Sequence, residues 1–106
     1  MTALLPKDAN GETIPAVALI DGAAHSISSS AAAARNSTAF ASDTKIVSVY
    51  ADQDVYLKFG DDTVTATTSD HFFPGSVYYD FALRGKTHLS VLRVTDDGTV
   101  YVSEKE

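Results

Sequence analysis

The clearest pattern in the chain is strict alternation of apolar and polar positions, and it begins in earnest at residue 44. In Asp54–Leu83, DVYLKFGDDTVTATTSDHFFPGSVYYDFAL, Val55, Leu57 and Phe59 point one way while Tyr56 and Lys58 point the other. A period of two is that of a strand with one face in a core. Gly60-Asp61-Asp62 breaks the run with turn chemistry. Val64, Ala66 and Thr68 against Thr63, Thr65 and Thr67 restore it, so residues 54–68 read as a hairpin. Phe72-Phe73-Pro74-Gly75 is a corner in which Pro presets φ and Gly takes the left-handed position. Beyond it, Val77, Tyr79 and Phe81 alternate with Tyr78, Asp80 and Ala82.

Lys45–Tyr50 and His88–Val94 read as further strands. In the second, Leu89, Val91 and Arg93 share one face and Ser90, Leu92 and Val94 the other, as expected where something covers both sides. Asp96-Asp97-Gly98 carries the Asp-Gly signal of a type I′ hairpin, and Thr99–Ser103 closes the domain. Short strands at roughly ten-residue spacing predict an all-β fold, a small β-sandwich or barrel of jelly-roll-like form.

The first 42 residues look different. Asn10-Gly11 and Asp21-Gly22 are turn dipeptides, and the apolar strand 14–20, IPAVALI, contains a proline that restricts it to an edge or an extended arm. Residues 23–41 are rich in Ala and Ser, with Ile27 and Phe40 as spaced anchors. Ala favours helix, but short isolated helices are marginal and Ser competes for backbone bonds, so an extended segment is expected. The chain therefore divides into an N-terminal extended arm, 1–42, and a compact β domain, 43–106.

Composition narrows the function classes. The 106 residues contain no cysteine, which excludes disulfides and thiolate metal sites. No apolar run approaches the length of a membrane span, and MTALLPKDANGE lacks the basic start and apolar stretch of a signal peptide. The net charge of −6 comes mostly from the β domain and includes no Lys/Arg cluster, which argues against nucleic acid. His25, His71 and His88 show no metal-like spacing, and no G-x-S-x-G elbow or glycine-rich phosphate loop is present. The pairs Asp52/Asp54, Asp61/Asp62 and Asp96/Asp97 fall in turns, where Asp serves the backbone, and match no EF-hand loop. No catalytic, metal or cofactor residue is expected.

Asp54, Tyr56, Phe59 and Gly60, then Ala66, Thr67 and Ser69, then Phe73, Pro74, Gly75 and Tyr79, and finally Gly98, Thr99, Val102 and Glu104 form a cadence. With the opening LPKDANGETI and an Ala/Ser-rich stretch ending in TAFA, it resembles a group of small phage and prophage virion structural proteins. Ser76 departs from that pattern, which leads one to expect a more apolar residue there. The resemblance implies a non-enzymatic capsid decoration (cement) protein, or the base of a head spike or fibre. It would be made in the host cytoplasm and located in the virion. Implied partners are the major capsid protein or other virion proteins and further copies of the chain, a trimer being expected, with no nucleic acid and no membrane. The apolar positions Ile14, Val17 and Leu19 of the arm, with Phe72 and Phe73 at the rim of the β domain, are the expected protein interface. The alternative is a carbohydrate-binding or host-adhesion β module, which would expose aromatics on one face.

Overall fold

The computed structural model describes residues 18–106. Ile14 and Val17, and most of the predicted apolar strand 14–20, lie outside the described residues. Among the described residues eight strands follow in order: β1 (Leu19–Ser29), β2 (Ala34–Arg35), β3 (Ile46–Ala51), β4 (Val55–Gly60), β5 (His71–Phe73), β6 (Tyr78–Ala82), β7 (His88–Arg93) and β8 (Gly98–Lys105). They form two antiparallel four-stranded sheets, ordered β1-β8-β3-β6 and β2-β7-β4-β5. The first half of the chain thus pairs antiparallel with the second, β1 with β8, β2 with β7, β3 with β6 and β4 with β5, as if one long hairpin had been rolled into two layers. This is jelly-roll connectivity, and the all-β sandwich read from the alternation is the fold observed.

The core lies between the sheets. Val47, Val49 and Ala51 of β3 and Val100 and Val102 of β8 face Val55 and Leu57 of β4 and Leu89 and Val91 of β7, all nearly inaccessible. Each of the valines and leucines among them contributes about 1.5–3 kcal/mol by leaving water.

The boundary expected at residues 42/43 does not separate arm from domain. Residues 19–35 supply a strand to each sheet, and Ile27 and Phe40 are core residues, each 2% exposed. Ile27 sits on the inward phase of β1 opposite Val100. Phe40 is carried by the 36–44 segment, which closes one end of the sandwich: its N–H donates to the Thr87 carbonyl at 2.9 Å. The Asn36 carboxamide accepts from Leu89 N at 2.8 Å and donates to Thr38 O at 2.7 Å. An Ala/Ser composition conceals this, because small side chains let an extended chain lie close to its neighbours without announcing a core.

Three turn expectations are also revised. Residues 63–68 are not the second arm of a hairpin, since β4 pairs instead with β5 and β7. The 61–70 loop folds over the outer face of the β4 sheet. The Val64 side chain sits against Gly60, where an added Cβ would come within 2.7 Å of it, and Ala66 N donates to the buried Ser90 hydroxyl at 2.9 Å. Arg35 reaches the Val64 carbonyl at 3.1 Å. Alternation was therefore right about burial of Val64 and Ala66 and wrong about a strand partner. Asp97-Gly98 does not close a hairpin either, because β7 and β8 belong to different sheets. Gly98 is needed for close approach, as a Cβ there would collide with the Asp52 carboxylate. At the Pro74-Gly75 corner the left-handed residue is Ser76, with φ 64°. A Cβ on Gly75 would lie 2.9 Å from the Gln53 backbone, so that glycine too answers a close approach.

Candidate functional site

One side of the sandwich is open. There the edge strands are β5, only three residues long, and β6, five residues long, each unpaired on its outer side among the described residues. Between them lies a groove of about 600 Å³ lined chiefly by Leu57, Phe59, His71, Phe73 and Phe81. The rings form a chain: Phe59 to Phe81 at 5.6 Å, Phe73 to Phe81 at 5.9 Å and Tyr79 to Phe81 at 5.1 Å between centroids. Tyr79 and Phe81 share the inward phase of β6, opposite Val49 and Val47. Phe81 is half-buried, but Tyr79 beside it is 58% exposed. Edge strands are usually blunted by Lys, Pro or inward charges. Strand β6 has no proline, and its one charge, Asp80, points to the outer face.

Of the expected interface residues, Leu19, Phe72 and Phe73 lie among the described residues. Phe73 is core, 6% exposed, whereas Phe72 is 55% exposed on the opposite face of β5, edge-on to Tyr56 at 6.4 Å. Period two requires this split for adjacent residues of a strand. Leu19 is exposed at the start of β1, paired with Lys105, on the far edge of its sheet from β6. Phe72 and Phe73 both border the groove, Phe73 with its side chain inward and Phe72 with its ring on the outer face.

A second surface is the outer face of the β3 sheet. Cross-strand register aligns Tyr101, Tyr50 and Tyr78 in one row, with Ser103, Ser48 and Asp80 in the next. Tyr50 and Tyr101 stand 6.5 Å apart, and Lys105 Nζ lies 5.1 Å from the Tyr78 ring centre. Lys105 also reaches Asp80 at 3.0 Å. The Ser48 hydroxyl, donating to Asp80, and then Lys105 hold the Asp80 carboxyl below its usual range. Partial burial pulls Lys105 down, but its bond to Asp80 and its contact with Tyr78 outweigh this and hold it above the ordinary lysine value.

The sequence pattern left one polar centre unannounced. Glu104 is 3% exposed on the inward phase of β8, two and four residues beyond Val102 and Val100. One carboxylate oxygen accepts from Ala41 N at 2.8 Å and from the Thr44 hydroxyl at 2.7 Å, and the other meets His25 Nε2 at 2.8 Å. Phe40 packs edge-on against the His25 ring at 5.0 Å. Burial pushes the Glu104 carboxyl up, but the three donors together bring it below its ordinary value. The Thr44 proton is directed at the carboxylate rather than at the imidazole, so the cluster braces the 36–44 segment against β1 and β8. Its signal was available: a glutamate continuing the Val100, Val102 phase.

Three of the turn aspartates serve the backbone as read from sequence, whereas Asp97 accepts from the Arg93 side chain. Asp52 accepts from Thr99 N at 2.7 Å, Asp54 from Gly75 N at 2.7 Å and Asp61 from Thr63 N at 2.9 Å. Among the described residues no group of three or more His, Cys, Asp or Glu side chains is placed to hold a metal ion. No helix among them is long and apolar enough to cross a membrane. No family model, curated protein or solved structure matches the chain.

Proposed function

We propose that this protein is a non-enzymatic structural component of a phage virion, a capsid decoration protein or the base of a head spike or fibre, which works by binding neighbouring protein subunits. The observation that carries the assembly part of this reading is the open β5/β6 side, an unblunted strand edge beside an aromatic groove. Such an edge offers backbone hydrogen bonds to an incoming strand and pockets to its side chains. The virion part rests on the likeness of the sequence cadence to small phage structural proteins, and jelly rolls serving in viral capsids add support by analogy of fold alone. Light scattering of the purified chain over a wide concentration range tests it. A stable trimer or larger ring is expected, and a strict monomer throughout would count against it.

A second reading, a carbohydrate-binding or adhesion module, is favoured by the Tyr101, Tyr50, Tyr78 row with hydrogen-bonding Ser48, Ser103 and Asp80 beside it. Flat aromatic faces suit sugar rings. A glycan array would detect this function, and Tyr50→Ala with Tyr101→Ala should abolish the signal without unfolding the chain.

A further inference from the structure

We propose that the outer face of the β1-β8-β3-β6 sheet binds an extended, uncharged polysaccharide chain laid across the strands, its sugar rings on Tyr101, Tyr50 and Tyr78 and its hydroxyl edge on Ser103, Ser48 and Asp80. This rests on the carbohydrate reading above and adds the class and the direction of the ligand.

Direction follows from register. Tyr101, Tyr50 and Tyr78 are cross-strand partners, so their row runs perpendicular to β8, β3 and β6. With strands about 4.8 Å apart, the row is about 10 Å from end to end, longer than one sugar ring. Two residues along each strand, about 7 Å away, Ser103, Ser48 and Asp80 form a parallel polar row. Strand β1 continues both rows with Ser26 beside Tyr101 and Ala24 beside Ser103, side chains too small to stop a chain passing over them. Tyr101 is 49% exposed and Tyr78 57%. The Tyr50 and Tyr101 rings are tilted by 35° with centres 6.5 Å apart rather than stacked, which leaves ring surface for a ligand. A ligand suited to an aromatic row beside a hydrogen-bonding row has apolar faces and a polar edge repeated along its length. A chain of pyranose rings has that form.

Charge selects an uncharged chain. The Asp80 carboxyl, held below its ordinary value chiefly by the Ser48 hydroxyl and then by Lys105, is ionised at neutral pH and only accepts hydrogen bonds. Ser48 and Lys105 both bond to Oδ1, so Oδ2 is the acceptor for a sugar hydroxyl. Lys105 is matched by Asp80 at 3.0 Å and lies 5.1 Å from the Tyr78 ring centre. An acidic sugar would therefore find Lys105 already neutralised, on a protein whose net charge is −6.

The test titrates the full chain, by calorimetry and amide NMR, with linear tetrasaccharides of glucose, mannose, galactose and N-acetylglucosamine, with their monosaccharides, and with tetragalacturonic acid. A neutral tetrasaccharide is expected to bind about tenfold or more tighter than its monosaccharide, and tighter than the galacturonate chain. It should shift amides on β8, β3 and β6 together. Tyr50→Ala with Tyr101→Ala should weaken it about tenfold or more, with the amide spectrum of the core strands preserved. Asp80→Asn keeps the shape of the side chain and leaves Lys105 unmatched, so it should weaken the neutral chain and strengthen the galacturonate chain. Equal binding of the monosaccharide, shifts confined to one strand, or tighter binding of galacturonate would overturn the extended neutral chain while leaving the carbohydrate reading intact. So would failure of every tetrasaccharide when a glycan array still retains the protein. Failure of the tetrasaccharides and of the array together would overturn both.

Discussion

Replacing Glu104 isolates what the buried polar brace is worth. Glu104→Ala removes the acceptor for Ala41 N, the Thr44 hydroxyl and His25 Nε2, all in surroundings where water replaces it poorly. Hydrogen bonds to a charged group are each worth about 1.5–3 kcal/mol net, but the carboxylate's own desolvation offsets part of the sum. Each of the three donors left without an acceptor costs about 1–3 kcal/mol, and a total loss of about 3–5 kcal/mol is expected here. At about 4–8 °C per kcal/mol for a domain of this size, Tm should fall by about 12–40 °C. Glu104→Gln keeps the oxygen that serves Ala41 and Thr44, and should cost about 1–2 kcal/mol. Urea denaturation, with unchanged m, gives both values. The folded-state carboxyl is held below its ordinary value, so its contribution is complete above the unfolded pKa of about 4.3 and is lost as pH falls through the lower folded value. The Glu104 contribution to the stability gap between wild type and Glu104→Gln should therefore narrow as pH falls below about 4.3. A loss below about 1 kcal/mol for Glu104→Ala, or a gap that widens in acid, would refute the account.

Three smaller perturbations test the turns and the covering loop. Ser90→Ala leaves Ala66 N without its buried acceptor and should cost about 1–3 kcal/mol, with faster amide hydrogen exchange across residues 61–70. Gly98→Ala forces a methyl group into Asp52 and Gln53 and should cost about 1–3 kcal/mol by thermal unfolding. Ser76→Gly relieves a left-handed serine and should stabilise by up to about 1 kcal/mol in the same assay, and a loss would show that the hydroxyl matters more than the backbone.

What could be read from the sequence was the facing of each strand. Val47, Val49, Val55, Leu57, Leu89 and Val91 are inward because alternation places them so. Pairing was harder to read. Period two states which side a residue faces, and Val64 and Ala66 satisfy it by sinking into a covering loop rather than a ladder. Turn dipeptides mark reversals, but Asp97-Gly98 serves a passage from one sheet to the other, a distinction that depends on partners more than forty residues away. The groove was half legible. Phe73 and Phe81 could be placed by phase, but their meeting across two sheets requires the rolled topology. His25 and Glu104, 79 positions apart, could not be joined by spacing at all.

The mutual backbone bonds of Ala18 and Glu106 make the sandwich a nearly closed loop of chain. A short Gly-Ser bridge from 106 to 18 would turn the fold into a circle that could be reopened within the solvent-facing 84–86 bend, where Arg84 and Gly85 already turn with positive φ. Anything fused at either terminus of the sandwich is delivered to the same corner, so cargo attached there would project from the β1 side and leave the aromatic side of every subunit unobstructed.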